Sequence, residues 1–171
     1  MAEGGGNEAA CQPLPEAEGY DYTYVEEPPE NLTCPICILP CREPQIMDCC
    51  GAKFCLPCIE REQFAGRPCP LCRVQRFKML IDREHQRRIL ALKVYCTQRE
   101  EGCQWSGELR HIENPHLEKD CQYVLEACCW DCGRRYKRKD IRFHEQDECG
   151  NRPLEWLGNT VANVTHTNLI M

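Results

Sequence analysis

The sequence predicts a series of small zinc-stabilised α+β modules rather than one domain with a large apolar core. The chain has 171 residues, of which 17 are cysteines, far above ordinary cysteine usage. Most of these cysteines stand in close pairs or follow a histidine after four intervening residues. Such sets of thiolates and imidazoles hold structural zinc, and zinc binding supplies the folding free energy that a small core cannot.

Disulfides are the alternative use of so many cysteines, and the context decides against them. Residues 1–10 are rich in glycine and acidic residues rather than apolar, and no run of eighteen apolar residues exists, so we expect neither secretion nor a membrane span. In a reducing compartment, Cys-x2-Cys and His-x4-Cys spacings favour metal. We therefore expect about four Zn²⁺ per chain and a cytoplasmic location, with the nucleus as the alternative.

Four cysteine pairs lie within residues 34–72. They are Cys34, Cys37, Cys49, Cys50, Cys55, Cys58, Cys69 and Cys72. Cysteines separated by two residues form a tight turn whose sulfurs point at one ion, so four pairs must be shared between two ions. The loop 51–54 is too short for the second and third pairs to wrap one ion easily. We therefore expect interleaving, with pairs one and three on one ion and pairs two and four on the other.

The same stretch resembles a RING finger, because C-P-I-C, C-G-x-x-F-C-x-x-C-I and C-P-x-C-R follow one another in the order of that family. The resemblance implies a cross-brace with Cys34, Cys37, Cys55 and Cys58 in one site and Cys49, Cys50, Cys69 and Cys72 in the other. Many RING fingers have a histidine where this chain has Ala52, and the doubled Cys49-Cys50 resembles the all-cysteine variant. Alternatively, Cys41 completes the second site in place of Cys49; otherwise Cys41 is a small apolar filler.

A helix is predicted after the RING-like stretch, from about residue 82 to residue 92. Asp82 is a good N-cap for it, and its apolar residues can pack against a zinc module. These residues are Ile89, Leu90 and Leu92. His85 has no cysteine at ligand spacing, so we expect an exposed helix histidine.

Two further segments have similar ligand patterns. The first is Cys96-x6-Cys103-x12-His116-x4-Cys121, and the second runs from Cys128 and Cys132 to His144-x4-Cys149. In each, two thiols on a turn and a His and Cys on a short helix can converge on one tetrahedral ion. His111 competes with His116, but only His116 repeats the His-x4-Cys spacing. Cys129 remains an alternative to Cys128, and residues 122–127 are predicted to contain a strand.

These segments resemble TRAF-type zinc fingers, notably in W-S-G-E-L after Cys103 and in R-R-I-L-A-L-K-V-Y-C leading into Cys96. The chain is thus similar to TRAF-like RING proteins over residues 32–150. The implied architecture is a cross-brace RING, a linker helix and two tandem TRAF-type fingers. The predicted parts are a disordered acidic tail 1–31, a RING finger 32–76, a linker helix 77–94, fingers 95–122 and 123–150, and a C-terminal tail 151–171.

Charge is distributed unevenly along the chain. Residues 1–33 contain eight acidic residues and no Lys or Arg, which is typical of disorder. Tyr20, Tyr22 and Tyr24 in that segment form either a short docking or phosphorylation segment or a solvated linker. A basic run in the last finger comprises Arg134, Arg135, Lys137, Arg138, Lys139 and Arg142. Few aromatic residues interleave with it, so we favour protein contact or plain solvation over nucleic acid.

The RING resemblance implies a RING-type E3 ubiquitin ligase without a catalytic nucleophile of its own. Its partner is a ubiquitin-conjugating enzyme that carries ubiquitin. The fingers are either interaction modules for a protein substrate or a signalling adaptor, or spacers. The resemblance places the contact on the two zinc loops, at Ile36, Pro70, Leu71 and Arg73. RING modules of this kind often pair, which adds a dimer to the expectations. The alternative function is a non-catalytic zinc-binding adaptor in signalling.

Overall fold

The computed structural model describes residues 19–153. Cys11, His166 and most of the two predicted tails lie outside these residues. The chain divides into two compact units, Met1–Val94 with Gly107–Leu109 and Tyr95–Ser106 with Arg110–Met171. No helix in the described part is long and apolar enough to cross a membrane.

A three-stranded antiparallel sheet organises the first unit. Its strands are β1 (Gln45–Met47), β2 (Lys53–Phe54) and β3 (Met79–Ile81), in the order β2-β1-β3. In the register, Ile46 lies opposite Lys53 of β2 and Leu80 of β3. A small apolar core lies around this sheet. It contains Leu32, Met47, Phe54, Ile59, Ile89 and Val94. The core is too small to hold the fold without metal.

Two helices belong to this unit, α1 (Leu56–Phe64) and α2 (Arg83–Leu90). Helix α2 begins as predicted, because Oδ1 of Asp82 accepts a hydrogen bond from the backbone N–H of His85 at 2.9 Å. It ends at Leu90 rather than at residue 92, and residues 93–95 form strand β4 (Lys93–Tyr95). The helix therefore covers only the middle of the predicted linker segment. Ile89 is buried as expected, whereas Leu90 is half-buried.

The prediction that His85 is exposed is wrong. Its side chain is 2% exposed, and Nδ1 lies 3.1 Å from Nζ of Lys53 on β2. The reason is that this face of α2 packs against the sheet. Burial, followed by the charge of Lys53, lowers the pKa of His85, so the neutral imidazole is favoured in the folded protein.

Residues 19–31 differ from the predicted disordered tail. The N–H of Tyr20 donates to the carbonyl of Pro40 at 2.9 Å, and Tyr24 pairs with Val94 in a β-bridge. A Cβ atom on Gly19 would lie 2.5 Å from Cβ of Leu39. The tyrosines supply apolar surface that offsets the acidic composition of this segment. Burial raises the pKa of Tyr24 above its ordinary value.

The remaining strands are short. Strands β4 and β5 (Ser106–Glu108) pair, as do β6 (Leu125–Ala127) and β7 (Arg135–Lys137). Helical turns span Leu109–His111 and Ile112–Asp120, and α3 (Arg138–Phe143) continues into the turn His144–Glu148. Strand β6 confirms the predicted strand between the two finger-like segments. His116 and His144 lie within these helical turns, whereas the cysteines of both fingers lie in the segments next to the strands and helices.

Candidate metal centres

Four groups of Cys and His side chains lie in the described residues, and in each group the candidate ligand atoms are within 4.8 Å of one another. A tetrahedral zinc ion with Zn–S bonds of about 2.3 Å requires sulfur–sulfur distances of about 3.8 Å, and about 3.6 Å from sulfur to an imidazole nitrogen. The observed distances can be compared directly with these values.

The first group comprises Cys34, Cys37, Cys55 and Cys58. Sγ of Cys37 lies 3.7 Å from Sγ of Cys55, as a shared zinc ion requires. The backbone N–H groups of Arg42 and Cys55 point at sulfurs of the group, at 3.3 and 3.4 Å. Such donors favour the thiolate form that binds metal. These backbone donors thus favour binding of a metal cation by this group.

The second group comprises Cys49, Cys50, Cys69 and Cys72. Its sulfur–sulfur distances are 3.9 Å for Cys49 and Cys50, 3.8 Å for Cys50 and Cys69, and 3.4 Å for Cys49 and Cys72. Cysteine pairs one and three thus meet in one group and pairs two and four in the other. This interleaving is the predicted cross-brace.

Cys41 does not belong to the second group. Its thiol is buried and contacts the thiols of Cys34 and Cys55, which raise its pKa. The structure therefore contradicts the alternative in which Cys41 replaces Cys49. Because Cys41 stands at the edge of the first group, it is the small buried filler that was the other expectation.

The third group comprises Cys96, Cys103, His116 and Cys121, all buried. Sγ of Cys121 lies 3.8 Å from that of Cys96 and 3.7 Å from that of Cys103, and Nε2 of His116 lies 3.6 Å from Sγ of Cys103. Burial lowers the pKa of His116, which favours the neutral imidazole that a zinc ligand must be. His111 is exposed and outside the group.

The fourth group comprises Cys128, Cys132, His144 and Cys149. Sγ of Cys128 lies 3.7 Å from Sγ of Cys149, and Nε2 of His144 lies 3.4 Å from Sγ of Cys132. A hydrogen bond from the backbone of Arg134 lowers the pKa of Cys132 to about 7. Cys129 is exposed and outside the group, and its N–H donates to Glu145 at 2.8 Å. The structure thus favours Cys128 over Cys129.

An aromatic ring stacks on each histidine of these groups, a role that the sequence analysis missed. The Trp105 ring lies 4.3 Å from that of His116 and the Tyr136 ring 4.0 Å from that of His144, with interplanar angles of 11° and 20°. Stacking restricts rotation of the imidazole and keeps Nε2 on the sulfurs. The available signal was an aromatic residue between the second cysteine and the histidine of each repeat.

The four predicted partner-contact residues lie on two similar zinc loops, 34–39 and 69–74. In each loop, the N–H of the first cysteine donates to the carbonyl of the residue five positions later. The N–H of the residue four positions later donates to the carbonyl of that cysteine. Ile36 is half-buried, whereas Pro70, Leu71 and Arg73 are exposed. The same loops expose two apolar side chains that the sequence analysis missed, Ile38 and Val74.

The basic run of the last finger is partly engaged within the second unit. Nζ of Lys137 lies 2.7 Å from the carboxylate of Glu101, and Nε of Arg138 lies 2.6 Å from that of Glu126. The Arg138 guanidinium also donates to the carbonyls of Leu117, Glu118 and Cys121. These cations are thus not free for a phosphate backbone, which weakens the nucleic-acid alternative.

Four Cys/His groups with four candidate protein ligands each, most of them in turns next to short strands and helices, define a protein with structural zinc sites. The groups fit four zinc ions, as predicted. No protein-family model matches the chain. The chain is 32% identical to TNF receptor-associated factor 6-B of Xenopus laevis over 142 residues, which cover 81% of the chain and 24% of that protein. It is 31% identical to TNF receptor-associated factor 6 of Bos taurus and of Homo sapiens over 144 residues, 82% of the chain and 26% of each relative.

The chain is therefore a TRAF-like RING finger protein with TRAF-type zinc fingers, and TNF receptor-associated factor 6 is among its homologues. It spans about a quarter of the length of these relatives.

Proposed function

We propose that the protein is a RING-type E3 ubiquitin ligase that binds a ubiquitin-conjugating enzyme and promotes transfer of ubiquitin to a protein substrate. The main support is the pair of zinc loops. Ile38 is 71% exposed and Leu71 62% exposed, so each of the two loops presents a large apolar side chain. Exposed apolar residues on rigid loops are suited to a protein partner.

The loops are rigid because of their backbone hydrogen bonds and their thiols. In the second loop, the N–H of Arg73 donates to the carbonyl of Cys69 and that of Cys69 donates to the carbonyl of Val74, both at 2.9 Å. Pro70 and Leu71 are held at the tip of this turn. A partner that binds here orders few side chains, so little conformational entropy opposes binding.

The proposed catalysis is by orientation. Zinc with four protein ligands leaves no position for water or substrate, so the sixteen Cys and His side chains are proposed as structural ligands only. The guanidinium of Arg73 is exposed beside the loop and offers several donors in a fixed fork. We assign it to contacts that hold ubiquitin near attack geometry, which lowers the entropic part of the barrier.

The fingers are proposed as spacer or interaction modules for a substrate or a signalling adaptor. The names of the relatives associate those proteins with TNF receptors, and a signalling role for this chain is an extension of that likeness. A cytoplasmic location, with the nucleus as the alternative, belongs to the same proposal, as does pairing of the RING module.

Autoubiquitination with a panel of conjugating enzymes tests the proposal. The wild type is expected to form chains with at least one enzyme, and Ile36→Ala to reduce them about tenfold or more. Leu80→Ala is the control, because Leu80 is an apolar residue that is 58% exposed and lies on β3, outside the zinc loops. If no enzyme supports chain formation, the non-catalytic adaptor function replaces the ligase.

A further inference from the structure

A groove on the first unit shares no residue with the zinc loops. Its volume is about 620 Å³, and it lies between β3 and helix α2. The apolar part is formed by Leu56, Ile81 and Leu90. Ile81 is 65% exposed, so this apolar surface is open to a ligand.

Two arginines of α2 line one side of the groove. Arg83 and Arg87 are four residues apart, which places them on the same face of the helix. Neither has an ion-pair partner among residues 19–153, whereas Lys53 and Arg67 of the same unit do. Their charges are therefore available to a carboxylate from outside. Arg88, also on α2, lines a different cavity.

The sheet next to the groove ends at β3, the outer strand in the order β2-β1-β3. An outer strand offers unpaired backbone groups to an additional strand. Glu43 lines the groove as well. Its negative charge disfavours an acidic residue close to it, so acidic side chains are directed towards the arginines of α2.

We propose that this groove binds an extended acidic segment of a partner protein, with an apolar side chain against Leu56, Ile81 and Leu90 and carboxylates on Arg83 and Arg87. The charge of the two arginines and the apolar floor together determine this chemistry. The surface is separate from the proposed conjugating-enzyme contact. The protein can therefore fail one test and pass the other.

Fluorescence anisotropy with the full chain tests the proposal. The probe is a fluorescein-labelled peptide, Gly-Glu-Leu-Glu-Glu-Leu, compared with the same peptide carrying Gln in place of Glu. Arg87→Gln is expected to weaken binding about fivefold, and the double change with Arg83→Gln is expected to weaken it further. Glu43→Gln is expected to strengthen it about twofold. The matched control is Arg88→Gln, with an expected change below about twofold.

Four outcomes overturn the proposal. Three are no saturable binding of the acidic peptide, equal binding of the Gln peptide, and an equal loss in Arg88→Gln and Arg87→Gln; the fourth concerns the chain itself. Zinc content measured on each variant excludes loss of the fold as the cause. The chain's own acidic segment is a rival occupant. If Glu16→Gln with Glu18→Gln strengthens peptide binding about tenfold, that segment fills the groove and the partner is not its ligand.

Discussion

Replacing Arg138 is expected to loosen the second unit locally. The guanidinium donates to the carbonyl of Cys121 at 2.8 Å, to that of Glu118 at 3.0 Å and to that of Leu117 at 3.2 Å. Its bond to Glu126 is short, at 2.6 Å, but that carboxylate is 38% exposed. The substitution to test is Arg138→Met, which keeps the apolar stem and removes every donor.

The magnitude follows from these contacts. Hydrogen bonds to carbonyls contribute about 1 kcal/mol each, and the longest counts for less. The exposed ion pair adds about 0.5 kcal/mol. The expected loss in the free energy of local unfolding is about 2–3 kcal/mol. The carbonyls of Leu117, Glu118 and Cys121 lose the guanidinium and can hydrogen-bond only to water.

Amide hydrogen exchange measures this loss residue by residue. The N–H of Cys121, bonded to the carbonyl of His116 at 2.7 Å, is expected to exchange roughly 30- to 150-fold faster in Arg138→Met. Arg142→Met is the control, since Arg142 is an exposed residue of the same helix. Equal exchange rates in the two variants would refute the reasoning.

Two other predictions concern thiols and pH. Cys49→Ser is expected to reduce bound zinc from about four to about three ions per chain, whereas Cys41→Ser and Cys129→Ser retain about four. Inductively coupled plasma mass spectrometry counts the ions. An equal loss of zinc in Cys41→Ser and Cys49→Ser would contradict the assignment of Cys49 as a ligand. The second prediction concerns His85, whose pKa is lowered by burial and by Lys53. Below about pH 6.5 the unfolded chain therefore binds more protons than the folded one. His85 lowers the free energy of unfolding as the pH falls through that value and has no such effect above pH 7. Urea unfolding at fixed zinc is expected to show a smaller loss from pH 7 to pH 5.5 in His85→Gln than in wild type; equal losses would exclude His85 as the cause.

The cross-brace could be predicted because local rules determine it. Cysteines separated by two residues point their sulfurs at one ion, and the short loop 51–54 makes it difficult for the second and third pairs to share one. The location of Cys41 could not be predicted. It depends on how the chain after the first zinc loop packs against the first group, where the N–H of Arg42 donates to Sγ of Cys55 at 3.3 Å.

The errors have a common physical origin in tertiary packing. The helical periodicity of the α2 sequence does not indicate which face of the helix packs against β2, so the burial of His85 could not be predicted from it. Acidic composition predicts disorder for residues 19–31, yet Tyr20 and Tyr24 pack because Pro40 and Val94 offer backbone partners. For the fingers, the repeated His-x4-Cys spacing was sufficient to select His116 over His111.

The central claim is that the zinc loops hold a ubiquitin-loaded conjugating enzyme in a reactive pose. Its most direct test is a single-turnover assay, which follows discharge of ubiquitin from the enzyme's thioester to free lysine. Wild-type protein is expected to accelerate discharge about tenfold or more for at least one enzyme, and Leu71→Ala to return the rate to that of the enzyme alone with zinc content unchanged. Discharge at the unassisted rate with every enzyme, or full acceleration by Leu71→Ala, would contradict the claim.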